Sequence, residues 1–572
     1  MQKLGIESWS ALSIALVVVA ACTARPNVPS PAPQPRPSSQ SAIAMPDRYS
    51  ADTATQILEA GGNAVDAAVA SAFTLAVTYP EAGNLGGGGF MLAYVDGEAS
   101  FLDYREVAPK GATRNMYLDA RGEVIAGASL TGHRAVAVPG TVAGLWEAHR
   151  RHGRLEWRTV VQPAIDLAQQ GFVVAPRLAE VAAVEQRERF ATTNFAAHFT
   201  GLRAGATFPQ PELAATLVRV QQHGADGFYR GITADFIVAE MQRGRGLITH
   251  DDLVAYRPVW RAPLRAAWRD KTVLSSPPPS SGGFALLQLL GMKEALAARF
   301  EGIEHNSAQY VHLVAEMAKR VYADRAEYAG DPDFVRVPIG ALIDPAYVAR
   351  RAAEVKLDAI STVDAVRPGL PESRHTTHFS IVDRWGNAVA NTYTLNTDFG
   401  SGVVVDGAGF LLNNEMDDFA AKPGVPNFYG VVGADANAIE PRKRPLSSMT
   451  PTILLDRGGR VELVAGSPGG STIITSVFQT IVNVYDFHKS PQQAVAADRF
   501  HHQLLPPTQV TFDPSLSTST LEGLRRLGYD VTPHPWPLGD VQLVLRSGDD
   551  WAAASDPRGR GVARVLAVTP AR

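Results

Sequence analysis

The feature that most constrains the fold is a change of pattern along the chain. From residue 377 to 465 the sequence runs through short β-branched segments, at 377–382, 388–394, 403–405, 451–455 and 461–465, bounded by Gly, Asp or Asn. Two earlier segments, 91–94 and 100–104, also read as strands, as do 509–512 and 541–545 near the end. Helical patterns stand on either side. They cover 52–60 and 64–77, dominate 145–351 (with 178–190, 211–223 and 307–328 as examples), and return at 471–486, 491–498 and 520–527. Asn63, after Gly61-Gly62, is a plausible N-cap for the second of these helices. Strands enclosed by helices before and after predict a layered α/β/β/α body. Periodicity alone does not settle that architecture.

Length allows such a body to be large. At 572 residues, one domain per ~150 residues suggests three or four, although layered α/β enzymes are often one continuous unit. The formal charge of -4, with Arg442-Lys443-Arg444 as the longest basic run, gives no sign of the clustered basic face a nucleic-acid partner needs, and none is expected.

The single cysteine excludes an intramolecular disulfide and any multi-cysteine metal site. It stands at position 22, directly after an apolar run from Ala11 to Ala21 that is far shorter than the ~20 residues needed to span a bilayer. The run has the form of a secretory signal. Val19-Ala20-Ala21-Cys22 resembles the lipobox of bacterial lipoproteins, in which the cysteine is lipidated and becomes the mature N-terminus. The same residues also read as a plain signal peptide cut at a small residue. Residues 23–42 are rich in Pro, Ser and Ala and poor in hydrophobics, the composition of an extended tether. The folded part is expected from about Ile43. Export to the periplasm or cell envelope, with a lipid anchor, is the expected location.

Gly83-Asn84-Leu85-Gly86-Gly87-Gly88-Gly89-Phe90 invites comparison with a phosphate cradle. It lacks the Lys-Ser/Thr of a P-loop, and no GxGxxG frame fits a strand-to-helix turn. A backbone packed too closely for Cβ atoms explains the run better. His501-His502 resembles a metal pair, yet neighbouring side chains diverge on helix or strand and no acid or cysteine set accompanies them. Neither a metal nor an organic cofactor is expected.

The chemistry gathers around Arg374-His375-Thr376-Thr377-His378-Phe379-Ser380. A Thr-Thr pair opening a strand is by itself ordinary β propensity. Downstream, however, stand Thr392-Tyr393-Thr394-Leu395-Asn396-Thr397, Leu412-Asn413-Asn414-Glu415-Met416-Asp417-Asp418-Phe419, Pro445-Leu446-Ser447-Ser448-Met449-Thr450-Pro451 and Gly466-Ser467-Pro468-Gly469-Gly470-Ser471. In order and spacing these closely resemble the small-subunit region of gamma-glutamyltransferases (glutathione hydrolases). Upstream, the glycine run, Asp103-Tyr104-Arg105-Glu106, Val138-Pro139-Gly140-Thr141 and residues 277–283 resemble the same family. The resemblance covers roughly residues 43 to 565.

It implies the fold of the N-terminal-nucleophile hydrolases: α+β, a four-layer αββα sandwich of two stacked antiparallel sheets between helical layers. It also implies a precursor that cuts itself between His375 and Thr376. The chain then divides into a signal peptide with lipobox (1–22), a tether (23–42), a large subunit (43–375) and a small subunit (376–572). The two subunits would form a heterodimer that is one composite catalytic domain.

The physical reason for such cleavage lies in the residue. A threonine hydroxyl needs a base before it attacks. Cleavage turns the Thr376 amide into an α-amine with a pKa near ~8, a base on the nucleophile itself. By resemblance, Thr394 orients Thr376, and Gly469 and Gly470 donate N–H groups to the oxyanion. Arg105, with Ser447 and Ser448, would bind the α-carboxylate of the γ-glutamyl group, a geometry that suits a guanidinium fork. Asn396, Glu415 and Asp418 would hold its ammonium. The family often has glutamine where this chain has Glu415. Residues 426–437 resemble the lid loop over the glutamyl site, with Tyr429 as its gate.

The expected donors are glutathione and related γ-glutamyl compounds, and the acceptors are water or an amino acid or peptide. Two other readings remain open. One is a cephalosporin (glutaryl) acylase or polyglutamate hydrolase of the same fold, and the other is a non-catalytic binding lipoprotein.

Overall fold

Side-chain alternation along the strands sets the layers. The computed structural model describes residues 38–362, 366, 376–422 and 434–567. A first antiparallel sheet of seven strands runs in the order Val562–Ala567, Gln40–Met45, Thr376–Val382, Ala388–Thr394, Gly88–Val95, Glu98–Asp103 and Val259–Arg261. A second, of six, runs Asp550–Ser555, Gln542–Ser547, Val461–Gly466, Thr452–Leu455, Lys271–Ser275 and Leu264–Trp268.

Ile43 and Met45 enter one core while Ala42 and Ala44 enter another, and Val389 and Tyr393 part from Ala388 and Ala390 in the same way. That is the period of two expected of a sheet covered on both faces. One face packs on helices Arg48–Glu59, Ala64–Thr78, Thr141–His152 and Trp157–Gln170. Small alanines on the other face let the second sheet approach, and helices Gly282–Ala295, Ala308–Tyr328 and Thr472–Tyr485 cover that sheet's far side. The result is the four-layer αββα sandwich.

The helix Ala64–Thr78 is buried along its whole length. Asn63 caps it, its side chain accepting from Val65 and Asp66 while the Asp66 carboxylate accepts from the Asn63 N–H. This reciprocal box satisfies N–H groups that a buried helix end would otherwise leave without partners.

The glycine run is a site of close backbone approach. A Cβ on Gly83, Gly86 or Gly87 would lie 2.2, 2.1 and 2.0 Å from the carbonyl oxygens of Leu75, Leu411 and Thr394. No side chain fits at those distances.

Several expectations need correction. Residues 145–351 are mainly helical, as expected, but Val259–Arg261, Leu264–Trp268 and Lys271–Ser275 within them are strands that the helical pattern hides. The first two are edge strands with half-exposed, Arg-containing faces, so their hydrophobic alternation is weak. Asp550–Ser555 and Val562–Ala567 close the two sheets at their other edges, and they too are largely half-buried or exposed, without a clear apolar alternation. Residues 403–405 form no strand, only a bridge from Val404 to Leu411, and their β-branched side chains serve core packing instead. The first strand starts at Gln40, inside the stretch assigned to the tether.

The first sheet draws strands from both sides of the 375/376 junction. Gln40–Met45, from the front of the chain, is hydrogen-bonded between Thr376–Val382 and Val562–Ala567. A cut at the junction would leave this sheet intact.

Candidate active site

Strand register brings the two threonines together. Thr376 opens its strand and Thr394 closes the neighbouring one, and the two are cross-strand partners. The Thr376 hydroxyl donates to Thr394 Oγ1 at 3.4 Å, and Thr394 Oγ1 also accepts from the Asn396 N–H at 2.8 Å. Asn396 has φ +80°, a left-handed conformation that Asn tolerates better than most residues. Its side-chain amide donates to the Asn414 carbonyl at 3.0 Å. Asn84, from the glycine run, donates to the Thr394 carbonyl at 2.8 Å and thereby fixes the end of that strand.

Thr376, Thr394 and Asn396 line one cavity of ≈ 20 Å³ with Arg105, Glu415, Asp418, Ser447, Ser448, Met449, Gly470 and Ile473. That is room for about one water. Thr376 also lines a second cavity of ≈ 370 Å³, to which Gly469 contributes. Of the residues picked out from the sequence, His375, Tyr429 and Cys22 lie outside the described residues, as does most of the lid-like loop. The others meet at these two cavities.

Arg105 follows the strand Glu98–Asp103 and is only 1% exposed. Its Nε donates to the Pro445 carbonyl at 3.2 Å and Nη2 to the Leu446 carbonyl at 3.1 Å. The guanidinium is therefore anchored to the backbone just before the serine pair. It also pairs with Glu415, with Asp418 at 2.5 Å, and with Glu106 at 3.7 Å. These acids hold Arg105 charged despite its burial. Burial pushes all three acids upward, opposed by Arg105, and Glu106 is pushed up to about 7. Several like charges facing one cation cannot all ionise, so the set keeps a proton near neutral pH.

Asparagines position the acidic turn Glu415–Asp418. Asn413 bonds to the backbone of Gly86, Ala137 and Glu415. Asn414 donates to the Leu130 carbonyl and to Thr397 Oγ1. Asn437 donates to the Asp418 carbonyl and accepts from the Leu446 N–H, joining the acids to the serine loop.

Gly469 and Gly470 precede the helix Thr472–Tyr485, with φ +131° and +60°. A Cβ on Gly469 would lie 2.4 Å from Thr472 Oγ1. Among the described residues neither glycine N–H has a backbone acceptor. The positive end of the helix lies just behind them. Two N–H groups at a helix start, beside a hydroxyl, can stabilise a developing oxyanion.

Three residues of this site carried no usable sequence signal. Glu106 stood inside a recognised motif, but its burial against Arg105 depends on the fold. Ser281 sits in the proline-rich loop, and Arg325 is one charge among several on the helix Ala308–Tyr328. Yet Arg325 is 2% exposed and donates to both Ser281 and Ser448. His501 and His502 are both buried, bonded to Thr475 Oγ1 and the Gln509 carbonyl, and pushed down to about 3, which keeps them neutral. Among the described residues no group of three or more His, Cys, Asp or Glu is placed to hold a metal ion.

A family model described as gamma-glutamyltranspeptidase matches residues 50–566. The glutathione hydrolase proenzyme of Pseudomonas aeruginosa is 58% identical over 527 residues, covering 92% of this chain and 94% of its own length. A solved gamma-glutamyltranspeptidase from Pseudomonas nitroreducens, complexed with L-DON, is similar at 55% identity and TM-score 0.57, covering 57% of this chain and 98% of that one. A cephalosporin acylase from Bacillus halodurans is similar over 94% of this chain and 98% of its own, at 25% identity and TM-score 0.79.

Proposed function

The chain belongs to the gamma-glutamyltranspeptidase family, and from that premise we propose that it cuts itself between His375 and Thr376 and transfers γ-glutamyl groups from glutathione-type donors through Thr376. One observation carries this reading: Thr376 begins a strand in register with Thr394 and shares a cavity with Arg105, Glu415, Asp418, Ser447 and Ser448. The cavity is lined by cationic and hydroxyl donors, Arg105, Ser447 and Ser448, and by acidic acceptors, Glu415 and Asp418, that pair with Arg105. That is the complement of an α-amino acid head group.

In the mature enzyme the Thr376 α-amine takes the hydroxyl proton as Oγ1 attacks the γ-carbonyl carbon. Negative charge moves to the carbonyl oxygen, which the Gly469 and Gly470 N–H groups receive. The tetrahedral adduct collapses, the C–N bond breaks, and the proton passes from the amine to the leaving nitrogen. A γ-glutamyl ester of Thr376 remains. Water or an acceptor amine then attacks that ester by the same steps and restores the hydroxyl. The Thr394 hydroxyl holds Thr376 Oγ1 in place, and Arg105 with Ser447 and Ser448 grips the donor's α-carboxylate. Asn396, Glu415 and Asp418 take its ammonium.

Arg105 is paired with Glu415 and Asp418 before any substrate enters. Binding therefore exchanges one set of ion pairs for another, the substrate carboxylate replacing acids on Arg105 and its ammonium replacing Arg105 on the acids. Such an exchange strongly disfavours a donor that supplies only one of the two charges, since it leaves a buried charge uncompensated. A glutaryl donor, which lacks the ammonium, should consequently react much more slowly than a γ-glutamyl one, and this separates the transferase reading from the acylase one.

The direct test is a denaturing gel with N-terminal sequencing of the purified protein. Two chains are expected, the smaller beginning Thr-Thr-His-Phe. A single uncut chain without activity would leave the binding-lipoprotein reading standing, and a different first residue would move the nucleophile.

The lipobox supports a further assignment, an exported protein anchored through lipidated Cys22 at the cell envelope. No helix among the described residues is long and apolar enough to cross a membrane. Cys22→Ser should shift the protein from membrane to soluble fractions or block its processing. Wild-type protein that is already soluble, with a mature N-terminus elsewhere, would remove the anchor.

A further inference from the structure

We propose that Arg325 is a positioning residue for donor recognition, one that orients the Ser448 hydroxyl toward the donor's α-carboxylate. The inference rests on the reading in which that carboxylate sits against Arg105, Ser447 and Ser448.

Proton bookkeeping carries the argument. The Arg325 Nε–H points between two hydroxyls, Ser281 Oγ at 2.9 Å and Ser448 Oγ at 3.3 Å. Both must therefore accept on that side. Ser281 has one proton, and its Oγ donates to the Ser447 carbonyl at 2.8 Å. The 3.2 Å contact between Ser281 Oγ and Ser448 Oγ can then be a hydrogen bond only with Ser448 as donor. Ser281 Oγ is already an acceptor for a cation, so it competes poorly with a carboxylate. When a carboxylate arrives in the cavity that Ser448 lines, the Ser448 proton turns to it.

The Ser281 proton committed to the Ser447 carbonyl sets the direction of the hydroxyl bond, while Arg325 occupies the acceptor side of the Ser448 oxygen, turning its proton away from the guanidinium, and adds a second buried cation behind the serine pair. Burial pushes it down only to about 10, so it stays charged at neutral pH. The backbone supports the same geometry. Ser281 N–H donates to the Ser447 carbonyl at 2.7 Å, and Ser447 N–H to the Pro279 carbonyl at 2.9 Å, so the proline-rich loop and the serine loop are tied together through their backbones. The positioning acts equally on bound substrate and transition state. It should therefore appear in binding rather than in kcat.

The experiment uses mature wild type, Arg325→Met and Arg325→Lys, with two competitive inhibitors: glutamate, and 4-aminobutyrate, which is glutamate without its α-carboxylate. Arg325→Met should weaken glutamate about tenfold, the scale of a lost charge-assisted hydrogen bond. It should leave 4-aminobutyrate unchanged and kcat within about threefold of wild type. Arg325→Lys keeps the charge without the planar fork and should recover part of the loss. Equal weakening of both inhibitors would make Arg325 a general packing residue, and no weakening of either would make it irrelevant; each result overturns the proposal. If Arg325→Met does not mature, Arg325→Lys alone decides by the same comparison. Failure of the underlying reading looks different: wild type itself would then bind glutamate no better than 4-aminobutyrate.

Discussion

Thr376→Ala should yield one uncut chain with no measurable γ-glutamyl transfer. On the proposed reading the substitution removes the group that attacks the precursor backbone and the group that carries the γ-glutamyl ester, so maturation and turnover should fail together. Loss of a covalent nucleophile costs on the order of 10⁴–10⁶ in kcat. Folding should be little affected, because only one methyl group is lost with the hydroxyl and the hydroxyl makes one long bond, 3.4 Å to Thr394. Thr376→Ser separates the roles of the hydroxyl and the β-branch. It keeps the nucleophile but frees χ1, so it should still mature and turn over, more slowly. Circular dichroism, a denaturing gel and a γ-glutamyl anilide assay on the three proteins check this. An alanine variant that is cut and active would place the nucleophile elsewhere.

The sequence was most legible where chemistry demands particular residue types in a fixed order. The two strands carrying Thr376 and Thr394 could be read from their β-branching, and the buried helix after Asn63 from its cap and composition. The order of strands and helices suggested the α/β/β/α layers, and the resemblance added the two stacked antiparallel sheets, because alternation cannot say which sheet covers which. Edge strands were lost. Val259–Arg261 and Val562–Ala567 carry arginine and face water on one side, so they lack the apolar alternation that marks a strand. Contacts between distant segments were also invisible. The pairing of Arg105 with residues some 310 positions away, and the donation of Arg325 to Ser448 across 123, arise only after the sheets have stacked. The glycine run shows the opposite case. Its composition suggested close backbone packing, and the carbonyl of Thr394 lies 2.0 Å from where a Gly87 Cβ would be.

Arg105 is where substitution should move binding, stability and pH dependence at once. Arg105→Lys keeps a charge but loses the fork that reaches the Pro445 and Leu446 carbonyls and two acids together. Its kcat/KM for a γ-glutamyl donor should fall about ten- to a hundredfold, from the loss of about 1.5–3 kcal/mol of charged hydrogen bonding. Asp418→Asn should act on the ammonium instead, and should not slow a glutaryl donor, which has none; it should if anything speed it, because it removes one of the buried acids that such a donor leaves uncompensated. Arg105→Met should go further, because it leaves Glu106, Glu415 and Asp418 buried without their cation, a loss of about 3–5 kcal/mol when a buried pair is broken from one side. The sign with pH follows from burial. Burial pushes Glu106, one of a coupled set with Glu415 and Asp418, up to about 7 from an ordinary 4.5, so the folded state binds the extra proton between those values. Its contribution is fully present below 4.5 and is lost as pH rises through 7. Without Arg105 the carboxyls move further upward, so the window widens and the variant loses stability more steeply than wild type between pH 5 and about 8. Thermal midpoints of both proteins across that range, read beside donor kinetics, test the arrangement. An Arg105→Met variant with wild-type midpoints at both ends would mean that the acids do not depend on Arg105, and the exchange of ion pairs on substrate binding would go with it.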